Sequence, residues 1–166
     1  DLRTVSLDRH ETDIAVRLGR PQDGAFLGRP LVTMGYGFYG TPKLCRRLEA
    51  GADPAFVGFD EVNSHVPEAV WLARHFPRAR LSFRAGNQFA QAAAARADAG
   101  LALLPHFVGR ADKRLSLCRL TPVPAPREIW LLTRRQDRKE VSIRTVVDTL
   151  IAMFRHERAL FEVADG

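Results

Sequence analysis

Residues 80–106 read RLSFRAGNQFAQAAAARADAGLALLPH, and this stretch decides the fold class. The alternation of apolar and polar residues over 80–84 predicts a strand. Asn87 suits a helix cap, and the alanine-rich residues 88–97 predict the helix itself. The apolar run 101–104 predicts a buried strand. A strand–helix–strand unit of this kind is typical of α/β proteins with a parallel sheet.

Three further elements are predicted on the N-terminal side of this unit. The run TDIAVRL at 12–18 is rich in Ile and Val and predicts a buried strand, which we expect at the centre of its sheet. Residues 31–39 alternate with period two and predict one continuous strand. Thr41 followed by Pro42 is a helix-start signal, so a short helix is expected over 42–50.

The remaining elements extend the same alternation of strands and helices. Residues 56–59 predict a strand and residues 66–76 predict a helix. Near the C-terminus, residues 129–133 predict a last strand, and Ser142 is expected to cap an amphipathic helix. The chain is therefore predicted to be α/β, and the extended PVPAP sequence at 122–126 is the expected boundary between lobes.

The composition favours a globular protein without a nucleic-acid face of its own. The 166 residues carry a formal net charge of +6, but 22 of the 25 basic residues are Arg, scattered along the chain in short doublets at most. No predicted helix carries a basic stripe that would follow phosphates. No long apolar run and no signal-peptide layout occur, so we expect a cytoplasmic protein without membrane contact.

The potential metal ligands are few and widely spaced. Cys45 and Cys118 lie 73 positions apart without a CxxC motif, so we expect reduced structural thiols, with a redox pair as the alternative. The histidines show no HxxxH or HExxH spacing. Neither a metal nor another cofactor is expected.

Residues 35–40, GYGFYG, form a GxGxxG motif, with Asp60 twenty positions after its last glycine. In a dinucleotide-binding site the glycines lie in a turn and the helix opens within the motif. Here the helix-start signal follows the third glycine, and the aromatic residues alternate as they would on a strand. A nucleotide-dependent enzyme is therefore the weaker hypothesis, and since no catalytic motif is found, we expect no enzyme.

Asn87 marks the most promising position for a ligand. A helix that begins just after a strand offers unpaired backbone N–H groups and the positive end of its dipole to an anion, so a carboxylate would suit this position. The alternative is that Asn87 only caps the helix. His106, which directly follows a predicted strand and Pro105, is a second candidate for a cleft residue.

Several stretches in their order resemble the effector-binding domain of LysR-type transcriptional regulators. Residues 11–21 (ETDIAVRLGRP) are similar to a conserved strand and loop of that family, and 39–44 (YGTPKL) to its "ASPxYL" step. Residues 71–72 match a common "WL" position, and 87–105 resemble "N…aAraGaGia.LP". Residues 129–154 resemble the closing strand and helix. Asp98 stands where the family more often has glycine, and Asp tolerates a left-handed conformation better than most residues.

The resemblance implies the two-lobed type 2 periplasmic-binding-protein fold. Lobe I would comprise residues 1–34 and 127–166, and lobe II residues 35–126. Lobe I is expected to be incomplete at its N-terminus, because the family domain opens with a strand, a helix and a second strand before the segment that matches here. The effector would bind in a cleft between the lobes, at these residues: Gly19, Thr41, Asn87, Gln88, Phe89, Pro105 and His106.

The function implied by the resemblance is sensing of a small, acidic effector. The domain is expected to form a homodimer or homotetramer, and DNA would be bound only through a winged helix-turn-helix that precedes it in the family. A stand-alone solute-binding protein of the same fold is the alternative, disfavoured by the missing signal peptide. A nucleotide-dependent enzyme using residues 35–40 is the third hypothesis.

Overall fold

A computed structural model describes residues 13–22 and 24–164 of the chain. The predicted lobe I segment before residue 13 lies outside these ranges, and with it Thr12, at the start of the first predicted strand, and the first two residues of the motif at 11–21. The chain divides into two compact units, which are described separately. Unit 1 comprises the residues up to Met34 and from Pro126 onward, and unit 2 is Gly35–Ala125.

The described residues form strands and helices in alternation, with short 3₁₀ turns at Glu61–Asn63 and Arg135–Asp137. The strands are β1 (Ile14–Leu18), β2 (Phe26–Met34), β3 (Tyr36–Gly40), β4 (Ala55–Phe59), β5 (Arg80–Ala85), β6 (Leu101–Pro105), β7 (Ser116–Cys118) and β8 (Arg127–Arg134). The helices are α1 (Pro42–Glu49), α2 (Pro67–His75), α3 (Gln88–Arg96), α4 (His106–Ala111), α5 (Val141–His156) and α6 (Arg158–Phe161).

Unit 1 contains a three-stranded antiparallel sheet in the order β1-β8-β2, with α5 and α6 following β8. The prediction that the first strand is central was wrong for the described residues, because β8 occupies the centre and β1 an edge. Val16 and Leu18 in β1 remain 45% and 44% exposed. An apolar run predicts a strand, but it does not report how many neighbours the strand has.

The strand predicted over 31–39 is two strands. β2 ends at Met34 in unit 1, and β3 begins at Tyr36 in unit 2. At the break, the Gly35 carbonyl accepts a hydrogen bond from the backbone N–H of His106 at 2.9 Å. The prediction of one continuous strand was wrong. Apolar and polar side chains alternate in the same way on both sides of the break, so the sequence pattern does not reveal it.

Unit 2 contains a five-stranded mixed sheet in the order β5-β4-β6-β3-β7. β4 runs parallel to β5 and β6, whereas β3 runs antiparallel to β6 and β7. Its core contains Phe38 and Phe56, which are fully buried with ring centroids 5.4 Å apart. Ala92 and Ala95 turn the alanine-rich face of α3 to a second cluster around Tyr39. The predicted strand–helix–strand unit at β5, α3 and β6 is confirmed.

Side chains cap the helices α1 and α3, whereas the other helices begin without a side-chain cap. The Thr41 hydroxyl accepts a hydrogen bond from Leu44 N at 3.2 Å, and Pro42 opens α1, as predicted. Asp98 follows α3 with φ 64°, the left-handed conformation anticipated for it. Helix α5 begins at Val141, and Glu140 occupies the cap position without a side-chain hydrogen bond, so the predicted Ser142 cap was wrong.

Cys45 and Cys118 form a disulfide, so the prediction of reduced thiols was wrong. Cys45 lies in α1 and Cys118 in β7, with their Cα atoms 5.1 Å apart. The sheet explains the approach, because β7 pairs with β3 and α1 starts just after β3. A separation of 73 residues in sequence does not reveal this neighbourhood.

Residues 13–22 and 24–164 lack two kinds of feature. No helix in these ranges is long and apolar enough to cross a membrane. No group of three or more His, Cys, Asp or Glu side chains in the same ranges could hold a metal ion.

Candidate binding site

One edge of the unit 2 sheet collects the ends of several strands. The parallel strands β4, β5 and β6 finish here at Phe59, Ala85 and Pro105. The antiparallel β3 starts at the same edge, with Tyr36 opposite Pro105. In α/β sheets ligands bind outside the carboxyl ends of the strands, because the following helices point their N-termini there. This edge is therefore the candidate binding site.

Helix α3 presents its N-terminus at this edge. Asn87 is extended, with φ −154° and ψ 164°, and its Oδ1 accepts a hydrogen bond from Ala90 N at 2.9 Å. Its carbonyl accepts Gln91 N at 3.1 Å. No described residue accepts a hydrogen bond from the backbone N–H of Gln88 or Phe89. Two donors at the positive end of the helix dipole are thus available to an anion.

The side chain of Gln88, the first residue of α3, carries a further unsatisfied donor. Its Nε2 is buried and has no hydrogen-bond partner among the described residues. Gln91, one turn further along the same helix face, has a buried Nε2 in the same condition and is only 2% exposed. A buried amide without a partner is unfavourable, so an acceptor bound here would be stabilised. Gln91 was not singled out from sequence, although a Gln among alanines was a visible signal.

Two carboxylates near this edge are already engaged. Asp60 Oδ1 accepts hydrogen bonds from Asn63 N at 3.0 Å and from Asn63 Nδ2 at 2.7 Å. The Tyr36 hydroxyl donates to Glu68 Oε1 at 2.9 Å. Gly86 allows the loop before α3 to lie close to Asp60, since a Cβ there would be 3.1 Å from Asp60 Oδ2. These contacts fix the loops around the α3 N-terminus.

The GxGxxG motif does not form a nucleotide-binding turn. Tyr36–Gly40 is β3, and every residue in it is buried. Helix α1 begins only at Pro42, after the last glycine. A side chain at Gly37 would collide with Leu117, so packing against β7 accounts for a glycine there. Asp60, which a nucleotide site would use for the ribose, caps the 3₁₀ turn instead.

His106 lies inside unit 2 and is only 4% exposed. Its Nδ1 and the Tyr39 hydroxyl share a hydrogen bond of 2.7 Å. Burial, and secondarily the positive charge of Arg110, lowers the pKa of His106 from 6.5 to about 4. Burial also raises the pKa of Tyr39, which Arg110 partly opposes. At neutral pH both side chains are therefore uncharged. The surroundings of His106 are those of a packed, hydrogen-bonded core histidine.

The structure separates the remaining predicted site residues. Thr41 follows the carboxyl end of the antiparallel β3, so it lies at the opposite edge of the sheet from Asn87. Its hydroxyl also donates to Asp98 Oδ1 at 2.6 Å. Gly19 belongs to unit 1, where it has φ 83° and donates its N–H to Glu128 O at 2.7 Å. Asn87, Gln88, Phe89, Pro105 and His106 are the predicted residues at the carboxyl-end edge, and of these His106 is buried.

The family of the chain follows from a comparison with protein-family models. The model of the LysR substrate binding domain matches residues 4–155. The chain therefore belongs to the family of LysR substrate-binding domains, the regulatory domains of transcriptional regulators.

Individual relatives agree with this assignment. The chain is 29% identical over 153 residues to the Mau operon transcriptional activator of Paracoccus denitrificans, covering 90% of this chain and 51% of that protein. It thus spans about half the length of this curated relative.

Solved structures give the fold. The regulatory domain of CrgA, a LysR-type transcriptional regulator from Neisseria meningitidis, is similar with a TM-score of 0.67 and 16% identity, over 89% of this chain and 78% of that one. The CcmR regulatory domain of Synechocystis PCC6803 in complex with 2-PG gives 0.66 and 16%, over 90% and 76%. The two-lobed type 2 periplasmic-binding-protein fold and the LysR resemblance are thereby confirmed.

Proposed function

We propose that this chain senses a small acidic metabolite for a LysR-type regulator and binds its carboxylate at the N-terminus of α3. The observation that carries the proposal is the set of donors at one edge: the backbone N–H groups of Gln88 and Phe89 and the buried, unpartnered Nε2 of Gln88. A carboxylate accepts several hydrogen bonds at once and is stabilised by the helix dipole. Pro105, at the neighbouring strand end, would border the same ligand.

The other predicted contacts remain predictions. For His106 the burial and the Tyr39 hydrogen bond favour a role in packing, while Thr41 and Gly19 have no geometric link to the α3 N-terminus within unit 2. The CcmR domain, whose structure contains 2-PG, supports the idea that a domain of this fold holds a ligand.

The role of the whole protein is part of the same proposal. Units 1 and 2 would be lobes I and II, and effector binding would shift the population of conformations because the two states differ in affinity. The protein would work in the cytoplasm without catalysis, as a homodimer or homotetramer, and would contact DNA through a winged helix-turn-helix outside this chain. Membership of a regulator family favours this over a stand-alone solute-binding protein.

A charge substitution at the helix cap tests the site. Short-chain carboxylic acids, each paired with its neutral primary amide, are screened against the full chain by thermal shift, and the best acid is measured by calorimetry. Asn87→Asp still caps α3, but its negative charge repels a bound carboxylate, so affinity should fall by at least about tenfold. Ser142→Asp, which places the same charge in the first turn of α5, should leave the affinity within about twofold. Unchanged affinity in Asn87→Asp would remove this site from the proposal.

A further inference from the structure

Unit 2 contains a groove between α3 and α4 that the proposed effector site does not explain. Its volume is about 650 Å³. This lies within the range of roughly 300–1,000 Å³ that small-molecule sites occupy. The groove runs beside α3 toward the turn that follows α4, and its charged residues lie at the C-terminal ends of these two helices and in that turn.

The floor of the groove is apolar. Ala92 of α3 and Val108 of α4 are both 6% exposed, and Ala111 continues the same surface. Two aromatic rings flank them: Phe107 is partly buried, whereas Phe89 is 70% exposed. An exposed phenylalanine beside an apolar floor leaves a surface that gains from contact with an apolar partner.

The far end of the groove is basic, although it contains one carboxylate. Asp112 Oδ2 pairs with Arg96 Nη1 at 2.5 Å, and Asp112 Oδ1 accepts Arg114 N at 3.0 Å. The hydrogen bond from the Arg114 backbone, together with Arg96, lowers the pKa of Asp112. Its negative charge is therefore retained at neutral pH and is offset by Arg96.

Two further positive charges lie beside this ion pair, so the end of the groove carries a net positive charge. The Lys113 ammonium and the Arg114 guanidinium both lie in the exposed turn after α4 and line the groove. No hydrogen bond or ion pair joins a described side chain to the Lys113 ammonium, whereas the Arg114 guanidinium is attracted to the Asp112 carboxylate that Arg96 already pairs. The Asx hydrogen bond between Asp112 Oδ1 and Arg114 N holds the turn in place. The groove thus joins an apolar floor to a pair of adjacent cations.

We propose that the α3–α4 groove is a second ligand site, which binds a small carboxylate with an apolar ring or chain. The apolar part packs on Phe89, Phe107 and the alanines, and the carboxylate lies against Lys113 and Arg114. Charge and polarity favour this class of ligand. An uncharged apolar molecule would not interact with the cations, and a polar anion would leave the apolar floor exposed to water. The site needs neither Asn87 nor Gln88 and uses the ring of Phe89 rather than its backbone N–H, so its anion position differs from that of the proposed effector site.

The test uses 2-naphthoate as the probe and the full chain at low ionic strength, with calorimetry as the readout. Lys113→Gln combined with Arg114→Gln removes both cations and should weaken binding by at least about tenfold. Arg138→Gln combined with Lys139→Gln removes an exposed basic pair from another turn, and should change the affinity by less than about twofold. The neutral 2-naphthamide should bind as weakly as the acid binds to the first double variant.

Further outcomes distinguish this site from its alternatives. Ala111→Phe, which keeps every charge but fills the floor, should also weaken 2-naphthoate binding. Equal weakening by both double variants, equal binding of acid and amide, or no binding at all would overturn the proposal. Loss of binding in Asn87→Asp alone would place the probe at the effector site, overturning the groove but not the proposed function. A second copy of the chain filling the groove, seen as an oligomer that Ala111→Phe dissociates, would overturn it as well.

Discussion

His106 titrates far below the usual range of histidine because the folded chain buries it against Tyr39. The pKa of His106 is about 4 in the folded chain and 6.5 in the unfolded chain. Between these pH values the unfolded chain therefore binds a proton that the folded chain does not bind. The free energy of unfolding should therefore be highest above about pH 6.5 and should fall as the pH approaches 4. His106 should account for at most about 3 kcal/mol of this decrease.

Urea unfolding at several pH values checks this expectation. His106→Gln should flatten the decline between pH 6.5 and 4, whereas His156→Gln, at a side chain that is 85% exposed, should leave it as in the natural chain. An identical decline in the natural chain and in His106→Gln would show that other groups cause it.

Residue roles that depend on neighbours in sequence could be predicted. The caps at Thr41 and Asn87 and the left-handed Asp98 were found where the local pattern indicated, because a cap involves residues only two or three positions apart. The burial of His106 could not be predicted, because its partner Tyr39 lies 67 positions away on another strand.

At the scale of elements, Asp98 links the end of α3 to the start of α1. It combines a left-handed backbone, with φ 64°, and a hydrogen bond of 2.6 Å from the Thr41 hydroxyl. Asp98→Ala keeps the unfavourable backbone and loses the bond, so it should destabilise the fold by about 1–2 kcal/mol. Asp98→Gly also loses the bond but relieves the backbone, and should lie closer to the natural chain. Equal denaturation midpoints for the two variants would contradict this account.

The Cys45–Cys118 disulfide joins α1 to β7. It closes a loop of 73 residues, and the chain-entropy model assigns such a bridge about 4 kcal/mol of stability. Since the chain has only two cysteines, dithiothreitol should lower the free energy of unfolding of the natural chain by that amount. A Cys45→Ser, Cys118→Ser double variant should not respond. No response in the natural chain would mean that the bond contributes nothing in solution.

Element types were easier to predict than element partners. β5, α3 and β6 were predicted almost residue for residue, because hydrophobic period and helix signals are local. The break of residues 31–39 into two strands, the edge position of β1 and the short β7 all depend on pairing with distant segments. The disulfide was missed for the same reason, since β3 brings β7 and α1 together.

At the scale of the whole molecule, the order of motifs along the chain predicted the fold, but not the surfaces. Asn87 caps α3, the alternative considered for it, and its contact with an effector stays a prediction, while Thr41, grouped with it from sequence, lies at the opposite edge of the sheet. The α3–α4 groove was not anticipated, because Arg96 and Asp112 meet only once both helices pack on the sheet. Binding surfaces therefore required the tertiary structure.

The most direct test of the central claim is an amide NMR titration of the full chain with the acid that the thermal-shift screen selects. If the chain senses a carboxylate at the N-terminus of α3, the backbone amides of Gln88 and Phe89 should show the largest shifts. The primary amide of the same compound should leave them in place. Saturable binding of the acid without any change at Gln88 and Phe89 would contradict the account.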